Sequence, residues 1–274
     1  MRAEAGRWSE LAPAKLNLAL HVRGRLPDGR HALETLFAFC IDGDRLSGEP
    51  ADEISLAVTG PFADALGSRE DNLVLRAARA LKERAGASQG AALTLHKALP
   101  IASGIGGGSA DAAAALRLLT GMWKLDPAHA SAVAPKLGSD VPACLLGMTC
   151  HGSGAGDELE LADEVGVAGA PALLVNPRVP LSTGEVFARW DGVDRGPLDD
   201  DWRGGRNDLE LPARGLVPQI GDVLDWLVAR NGITLARMSG SGATCFALFE
   251  GEQARDEAAD ACPAEWWHLA TALR

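Results

Sequence analysis

The chain of 274 residues has no tyrosine, only 5% aromatic residues, and five cysteines, Cys40, Cys144, Cys150, Cys245 and Cys262, with no CxxC pair among them. An odd number of scattered cysteines excludes complete pairing within one chain and fits a reducing compartment. Positive charge is short as well: 26 Lys and Arg against 37 Asp and Glu give a net charge of −11. That balance excludes broad electrostatic attachment to nucleic acid or to an anionic membrane. It leaves open the local capture of a phosphate by backbone N–H groups and one or two lysines. No run reaches the apolar length of a spanning helix. The first apolar stretch is interrupted by Lys15 and Asn17, unlike the core of a secretory leader. The expectation is a cytoplasmic protein, a monomer or homodimer, with small-molecule partners and neither nucleic acid nor membrane.

What is present is ordinary for a folded protein, with 47% hydrophobic and 23% charged residues. The length allows one large domain or two of usual size, and two lobes are expected. In LAPAKLNLALHV, from Leu11, Leu16, Leu18 and Leu20 fall on one face of a period-2 pattern and Lys15 and Asn17 on the other. This predicts a half-buried strand. Pro27, Asp28 and Gly29 mark a turn before a second strand, ALETLFAFCI. Asp71 and Asn72 precede LVLRAARALKERAG, which predicts a capped helix ending at Gly86. AALTLHKALP is a strand, and DAAAALRLLTGMWKL a helix that begins near Ser109. PAHASAVAPKL predicts a further helix that Gly138 ends, with Asp140 on the turn beyond it.

The glycine-rich HGSGAGDELE from His151 marks a lobe boundary or a hairpin within a continuous sheet. Beyond it, PALLVNP reads as a strand, TGEVFARW as a short helix and GLVPQIGDVLDWLVARNG as a longer one. ARMSGSGATCFALFE is a loop running into a strand, and EWWHLATAL returns as another. Strands and helices without strict alternation define an α+β class.

The chemistry concentrates in PIASGIGGGSA, from Pro100 to Ala110. Gly104, Gly106, Gly107 and Gly108 have no Cβ, so their backbone can turn through positive φ and lie against an anion. The helix that follows offers unpaired N–H groups and a positive dipole end. Strand, glycine loop and helix in that order predict a phosphate cradle. The Walker pattern fails because no Gly-Lys-Ser/Thr is present, and a dinucleotide fold lacks its acidic residue at the end of a following strand. Taken singly, Lys15 reads as a solvated lysine and Asp140 as a turn-former; only if the fold brings them close do they suit a general base held ionised by a cation.

Three segments, PAKLNLALHV from Pro13, LPIASGIGGGSADAAAAL from Leu99 and SGSGATCFALF from Ser239, resemble in order and spacing the three motifs of the GHMP kinases. The resemblance implies a two-lobed α+β fold. A lobe like domain 2 of ribosomal protein S5 would occupy residues 1–157, and a ferredoxin-like α/β sandwich residues 158–274. Within that family GRLPDGRHALETLF and LGSDVPACLLG are similar to members that use ATP to phosphorylate the 2-hydroxyl of a cytidine diphosphate methylerythritol, on the non-mevalonate route to isoprenoid precursors.

By the same resemblance Asp140 is the catalytic aspartate and Lys15 the lysine that keeps it ionised. Pro100, Ile101, Ala102, Ser103, Gly104, Ile105, Gly106, Gly107, Gly108, Ser109 and Ala110 hold the nucleotide phosphates, with Asn72 and Lys97 on the adenine side. Asn17, His31 and Phe187 match substrate positions, and Gly240 and Ser241 close the site from the third motif. Mg²⁺ is expected with ATP, and no protein ligand to it is named. The chain departs from the family at Arg30, where an aromatic residue usually stacks on cytosine; a planar guanidinium would stack there or meet the diphosphate. The alternatives are a GHMP kinase of the homoserine or mevalonate type and a non-catalytic nucleotide-binding regulator of the same fold.

Overall fold

The computed structural model describes residues 2–4, 7–66 and 71–274. Contacts divide the chain into two compact units of three segments each. One takes Met1–Ala14, Asp42–Ile101 and Gly106–Gly147, the other Lys15–Ile41, Ala102–Ile105 and Met148–Arg274. Strands β1 (Arg2–Glu4), β2 (Arg7–Arg25) and β3 (His31–Ala51) open the chain, and β2 and β3 each run through both units. In β2 residues 12–22 are buried without alternation, including Lys15 and Asn17. The strand is therefore fully buried rather than half-buried. A period-2 pattern assigns one face to solvent, whereas a strand covered on both faces need not alternate.

The first unit continues with β4 (Ile54–Thr59), α1 (Leu73–Ala85) and β5 (Gly90–His96), in which β5 pairs parallel to β4 and antiparallel to β3. Parallel neighbours need a crossover, and α1 supplies it. Its ends fall where the sequence placed them: the Asn72 side chain accepts from Val74 N at 2.8 Å, and Gly86 closes the helix at φ 63°. Helices α2 (Gly107–Met122), α3 (Pro127–Leu137) and α4 (Val141–Leu146) complete the unit. α2 starts at Gly107, two residues before the expected Ser109, because Gly107 and Gly108 take helical rather than left-handed backbone.

α2 is largely buried, and its run of alanines lets neighbouring elements approach closely. At Gly48 of β3 an added Cβ would stand 2.8 Å from Leu93 Cδ2 and 3.2 Å from Leu118 Cδ2. Amid this apolar packing, Arg117 of α2 makes a polar tie. Its Nε donates to Glu10 Oε1 at 3.0 Å, Nη1 to Cys144 O at 2.7 Å and Nη2 to Leu11 O at 2.9 Å.

The second unit contains the hairpin β6 (Cys150–Ser153) and β7 (Glu158–Leu161), the second of the two readings open to the glycine-rich run. It also holds β8 (Pro171–Asn176), α5 (Thr183–Ala188), α6 (Glu210–Leu216), α7 (Gln219–Val228), β9 (Ile233–Met238), β10 (Cys245–Phe249), α8 (Glu252–Asp260) and β11 (Trp267–Ala272). β6 pairs with β3, while β8 to β11 form a separate antiparallel sheet in the order β11-β8-β10-β9. The core of this unit includes Leu173, Val175, Leu209, Ile220, Val223 and Leu227. The single long helix expected over GLVPQIGDVLDWLVARNG is broken: Val217 is extended, at φ −132° and ψ 86°, and Pro218 begins α7. Proline excludes its predecessor from the helical region, so the apolar periodicity continues across a break in the backbone. None of the five cysteines is in a disulfide. Among the described residues, no helix is long and apolar enough to cross a membrane.

Arg117→Met should lower the unfolding free energy by about 3 kcal/mol, since it leaves a part-buried carboxylate and two carbonyls without their charged donor. The urea midpoint measures this; a change within about 0.5 kcal/mol, typical of a surface substitution, would show that Arg117 ties nothing together.

Candidate active site

In the second unit, elements far apart in sequence converge on the backbone of Gly104, which has φ +75°. A Cβ there would stand 2.5 Å from Ser239 O and 2.7 Å from both Gly242 N and Gly242 O, so only glycine fits. The Ser239 hydroxyl donates to Gly104 O at 3.0 Å, and Thr244 N donates to Ser103 O at 3.1 Å. Strand β2 joins on the other side: Lys15 N donates to Ile105 O at 2.9 Å, and Asn17 N to Ser239 Oγ at 3.1 Å. Segments of all three motifs singled out in the sequence thus form one hydrogen-bonded assembly.

Within it Lys15 and Asn17 meet directly, with Lys15 Nζ donating to Asn17 Oδ1 at 2.8 Å. The Asn17 amide is oriented from behind, where its Nδ2 donates to Thr35 Oγ1 at 2.8 Å and the Thr35 hydroxyl donates in turn to Ala19 O at 2.6 Å. The Lys15 ammonium also lies 5.0 Å from the centre of the Phe37 ring. Lys15 is 3% exposed, which removes the solvated-lysine alternative. Ser241 bonds to Thr183 through their hydroxyls at 2.9 Å, and Asn207 Nδ2 donates to Gly240 O at 2.8 Å and Met238 O at 2.7 Å. The loop carrying Gly240 and Ser241 is therefore fixed from two sides.

His31 and Phe187, 156 residues apart in the chain, are neighbours, their ring centroids 4.7 Å apart at a tilt of 32°. Trp190 meets the same imidazole edge-on at 5.5 Å. Burial lowers the His31 pKa, and the charge of Arg25 lowers it further. Its Nε2 is buried with no hydrogen-bond partner among the described residues. The ring is held neutral near pH 7. Arg30 is engaged by carboxylates, with Nε on Asp28 Oδ2 at 2.7 Å and Nη1 on Asp157 Oδ2 at 3.0 Å.

The remaining predicted residues lie in the first unit or lead into it. Gly106 turns at φ +66° and is the N-cap of α2, so Ser109 is the third helical residue rather than the first. Asp140 is the N-cap of α4, and its carbonyl accepts from Cys144 N at 3.0 Å. Asn72 uses its carbonyl oxygen to cap α1. Lys97 is not a solvated strand-end charge. It is 2% exposed and paired with Asp44 and, at 2.8 Å, with Asp111. Sequence reasoning missed both carboxylates, as it missed Thr35, Asn207 and Trp190. Only Asp111, inside the helix that follows the glycine loop, carried a local signal, being an acid in a run of alanines.

Comparison with known proteins agrees with this geometry. The sequence pattern of the GHMP kinases N terminal domain matches residues 72–148, and that of the GHMP kinases C terminal domain residues 198–268. A protein of Rhizorhabdus wittichii named 4-diphosphocytidyl-2-C-methyl-D-erythritol kinase is 52% identical, over 97% of this chain and 94% of its own. One of the same name from Novosphingobium aromaticivorans is 52% identical, over 97% and 92%. A crystal structure of 4-(cytidine 5'-diphospho)-2C-methyl-D-erythritol kinase superposes with a TM-score of 0.81 at 36% identity, covering 97% of this chain and 98% of its own. The homoserine kinase of Cytophaga hutchinsonii, at 17% identity and a TM-score of 0.70, shares the fold. With both domain patterns in place and relatives matched along nearly its whole length, the chain belongs to the GHMP kinases, and its fold is the two-lobed α+β fold of that family.

Proposed function

We propose that this protein transfers the γ-phosphoryl group of ATP to the 2-hydroxyl of 4-diphosphocytidyl-2-C-methyl-D-erythritol, a step towards isoprenoid precursors. The observation that carries the proposal is the assembly around Gly104, in which the strand of Lys15 and Asn17, the glycine loop and the Ser239 loop are joined by direct hydrogen bonds. The acceptor is taken from the relatives that are 52% identical over 97% of this chain.

Phosphoryl transfer asks a protein to align the nucleophile and to neutralise charge on the transferred group. Asp140 accepts the proton of the acceptor hydroxyl, with Lys15 as the cation that the family's motifs assign to it. Asn17, with its amide set by Thr35, orients the hydroxyl. Residues 100–110 cradle the phosphates with the loop amides beyond Pro100, which has no N–H, and with those of the first turn of α2 up to Ser109. Asn72 lies on the adenine side; Lys97 serves that side through its carboxylate partners rather than as a free cation. His31 and Phe187 receive the cytosine ring, while Gly240 and Ser241 close over the phosphates. Arg30, already paired with Asp28 and Asp157, contributes to the acceptor site as part of an ion-pair network.

Mg²⁺ enters with ATP as part of the substrate. Such an ion is coordinated chiefly by phosphates and water, so few protein ligands are needed. A cytoplasmic location and the lobe division 1–157 and 158–274 belong to the same proposal.

An ADP-release assay with the cytidylylated polyol, homoserine and mevalonate, with and without Mg²⁺, tests donor, acceptor and metal together. Turnover of homoserine or mevalonate in place of the cytidylylated polyol would overturn the acceptor. Asp140→Asn should lower kcat by about 10³-fold or more while leaving the dissociation constant for ATP within about threefold. An unchanged rate would remove Asp140 as the base.

The lowered pKa of His31 gives a further test. Above that pKa the imidazole is neutral; as pH falls through it, a cation forms beside Phe187, Trp190 and Arg25. KM for the acceptor should therefore rise as pH falls below the ordinary imidazole range, with KM for ATP unchanged, and His31→Gln should abolish the rise. The same acid rise in the His31→Gln enzyme would assign it to another group.

A further inference from the structure

The three charges beneath the first turn of α2 form a closed cluster. Lys97 stands just beyond β5, Asp44 lies in β3 and Asp111 in α2, and the three side chains are 4% exposed or less. Asp44 does more than neutralise the lysine: its Oδ1 accepts from Ala98 N at 2.6 Å and Leu99 N at 2.9 Å. These are the last two residues before the loop that opens at Pro100. The cluster also touches the far end of that loop, where a Cβ on Gly107 would stand 3.1 Å from Lys97 Nζ and 3.8 Å from Asp44 Oδ2. One carboxylate therefore binds the backbone at the entry to the glycine loop, and its lysine partner binds Asp111 at 2.8 Å, in the helix that follows the loop.

We propose that Asp44 is a positioning residue of the nucleotide site, fixing through Lys97 and the Ala98 and Leu99 amides both the entry to the glycine loop and the first turn of α2. This rests on the reading of residues 100–110 as the phosphate cradle. Neither Asp44 nor Asp111 needs to touch the nucleotide. What they fix is the direction of the N–H groups that do, and a backbone donor counts only when aimed.

The cluster has a second consequence. It opposes one cation to two carboxylates, so it is neutral when Asp111 carries a proton and carries one negative charge when it does not. Burial drives the Asp111 carboxyl up to about 7; Lys97 pulls against that rise and Asp44 adds to it. Burial alone would lower the Lys97 pKa, but Asp111 and Asp44 more than reverse this, so the lysine stays charged. Asp44 and Lys97 are the charges that act on Asp111 from the neighbouring elements. As pH rises through neutrality the cluster turns negative behind a site for polyanions, and MgATP is held less tightly.

The test uses the full-length protein with Asp44→Asn and Asp111→Asn, reading MgATP binding by calorimetry from pH 6 to 8, acceptor KM, and amide exchange across residues 97–111. Asp44→Asn should weaken MgATP binding by about tenfold, leave acceptor KM within about twofold, and speed exchange at Ala98 and Leu99. Asp111→Asn should keep that protection and flatten the weakening of MgATP binding that the wild type shows as pH rises. Faster exchange in Asp44→Asn without weaker MgATP binding would reduce Asp44 to a structural residue and overturn the proposal, as would unchanged exchange. If Asp44→Asn does not fold, Asp44→Glu, which keeps the charge and displaces the carboxylate, replaces it, and unchanged exchange at Ala98 and Leu99 with unchanged MgATP binding there overturns the proposal. A wild type that binds MgATP but does not turn over the cytidylylated polyol refutes the acceptor assignment and leaves this inference standing. A wild type that does not bind MgATP ends both.

Discussion

At Gly104 there is no room for a single carbon atom, and much of the second unit's site geometry follows from that constraint. Its missing Cβ lets the backbone lie against Ser239 and Gly242 at distances a side chain would forbid. The Ser239 hydroxyl can then donate to Gly104 O while accepting from Asn17 N, so one side chain joins a loop, a strand and a turn. Phosphate binding alone would explain a glycine in this loop. It would not explain why a distant hydroxyl is needed to hold it. The close approach does, because each of the three segments is positioned by the other two and none is rigid by itself.

The parts of the fold legible in the sequence were those decided locally. α1 begins and ends at its caps, Asn72 and Gly86, because both act on backbone groups within one turn. Asp126 starts α3 by the same logic, its side chain accepting from Ala128 N at 2.9 Å, whereas Gly138 follows the helix in extended backbone at φ 161°. The break at Val217 was legible in principle, since proline restricts its predecessor, but the apolar period on either side concealed it. Burial of both faces of β2 was not legible. Alternation reports what one strand offers, while burial depends on what else the chain brings to it.

The site divides in the same way. Order and spacing of three motifs were enough to name the glycine loop, Lys15, Asn17 and the Ser239 turn, and the structure joins those segments. Trp190 was hidden because a tryptophan just past a short helix reads as core. Asp44 was hidden more completely: it stands 53 residues before Lys97, and no pattern in a strand of mixed composition marks one aspartate as the partner of a buried ammonium. Thr35 shares that difficulty. A residue that acts by orienting another leaves its mark in geometry and very little in sequence.

Lys97 also bears on how a chain of net charge −11 holds a triphosphate. A lysine at the end of the strand leading into a phosphate loop is the obvious cation for the task. Here it is enclosed by two carboxylates, so its field is cancelled before it reaches a ligand. On that side attraction must come from backbone N–H groups and the N-terminal dipole of α2, worth roughly half a unit charge and confined to the first turn. Such an attraction is strong only along the N–H directions. A protein that binds phosphate this way needs no positive surface; on the proposed reading of residues 100–110, selectivity for a phosphate chain rests on how precisely the loop is aimed, and the buried Asp44–Lys97 pair serves that aim.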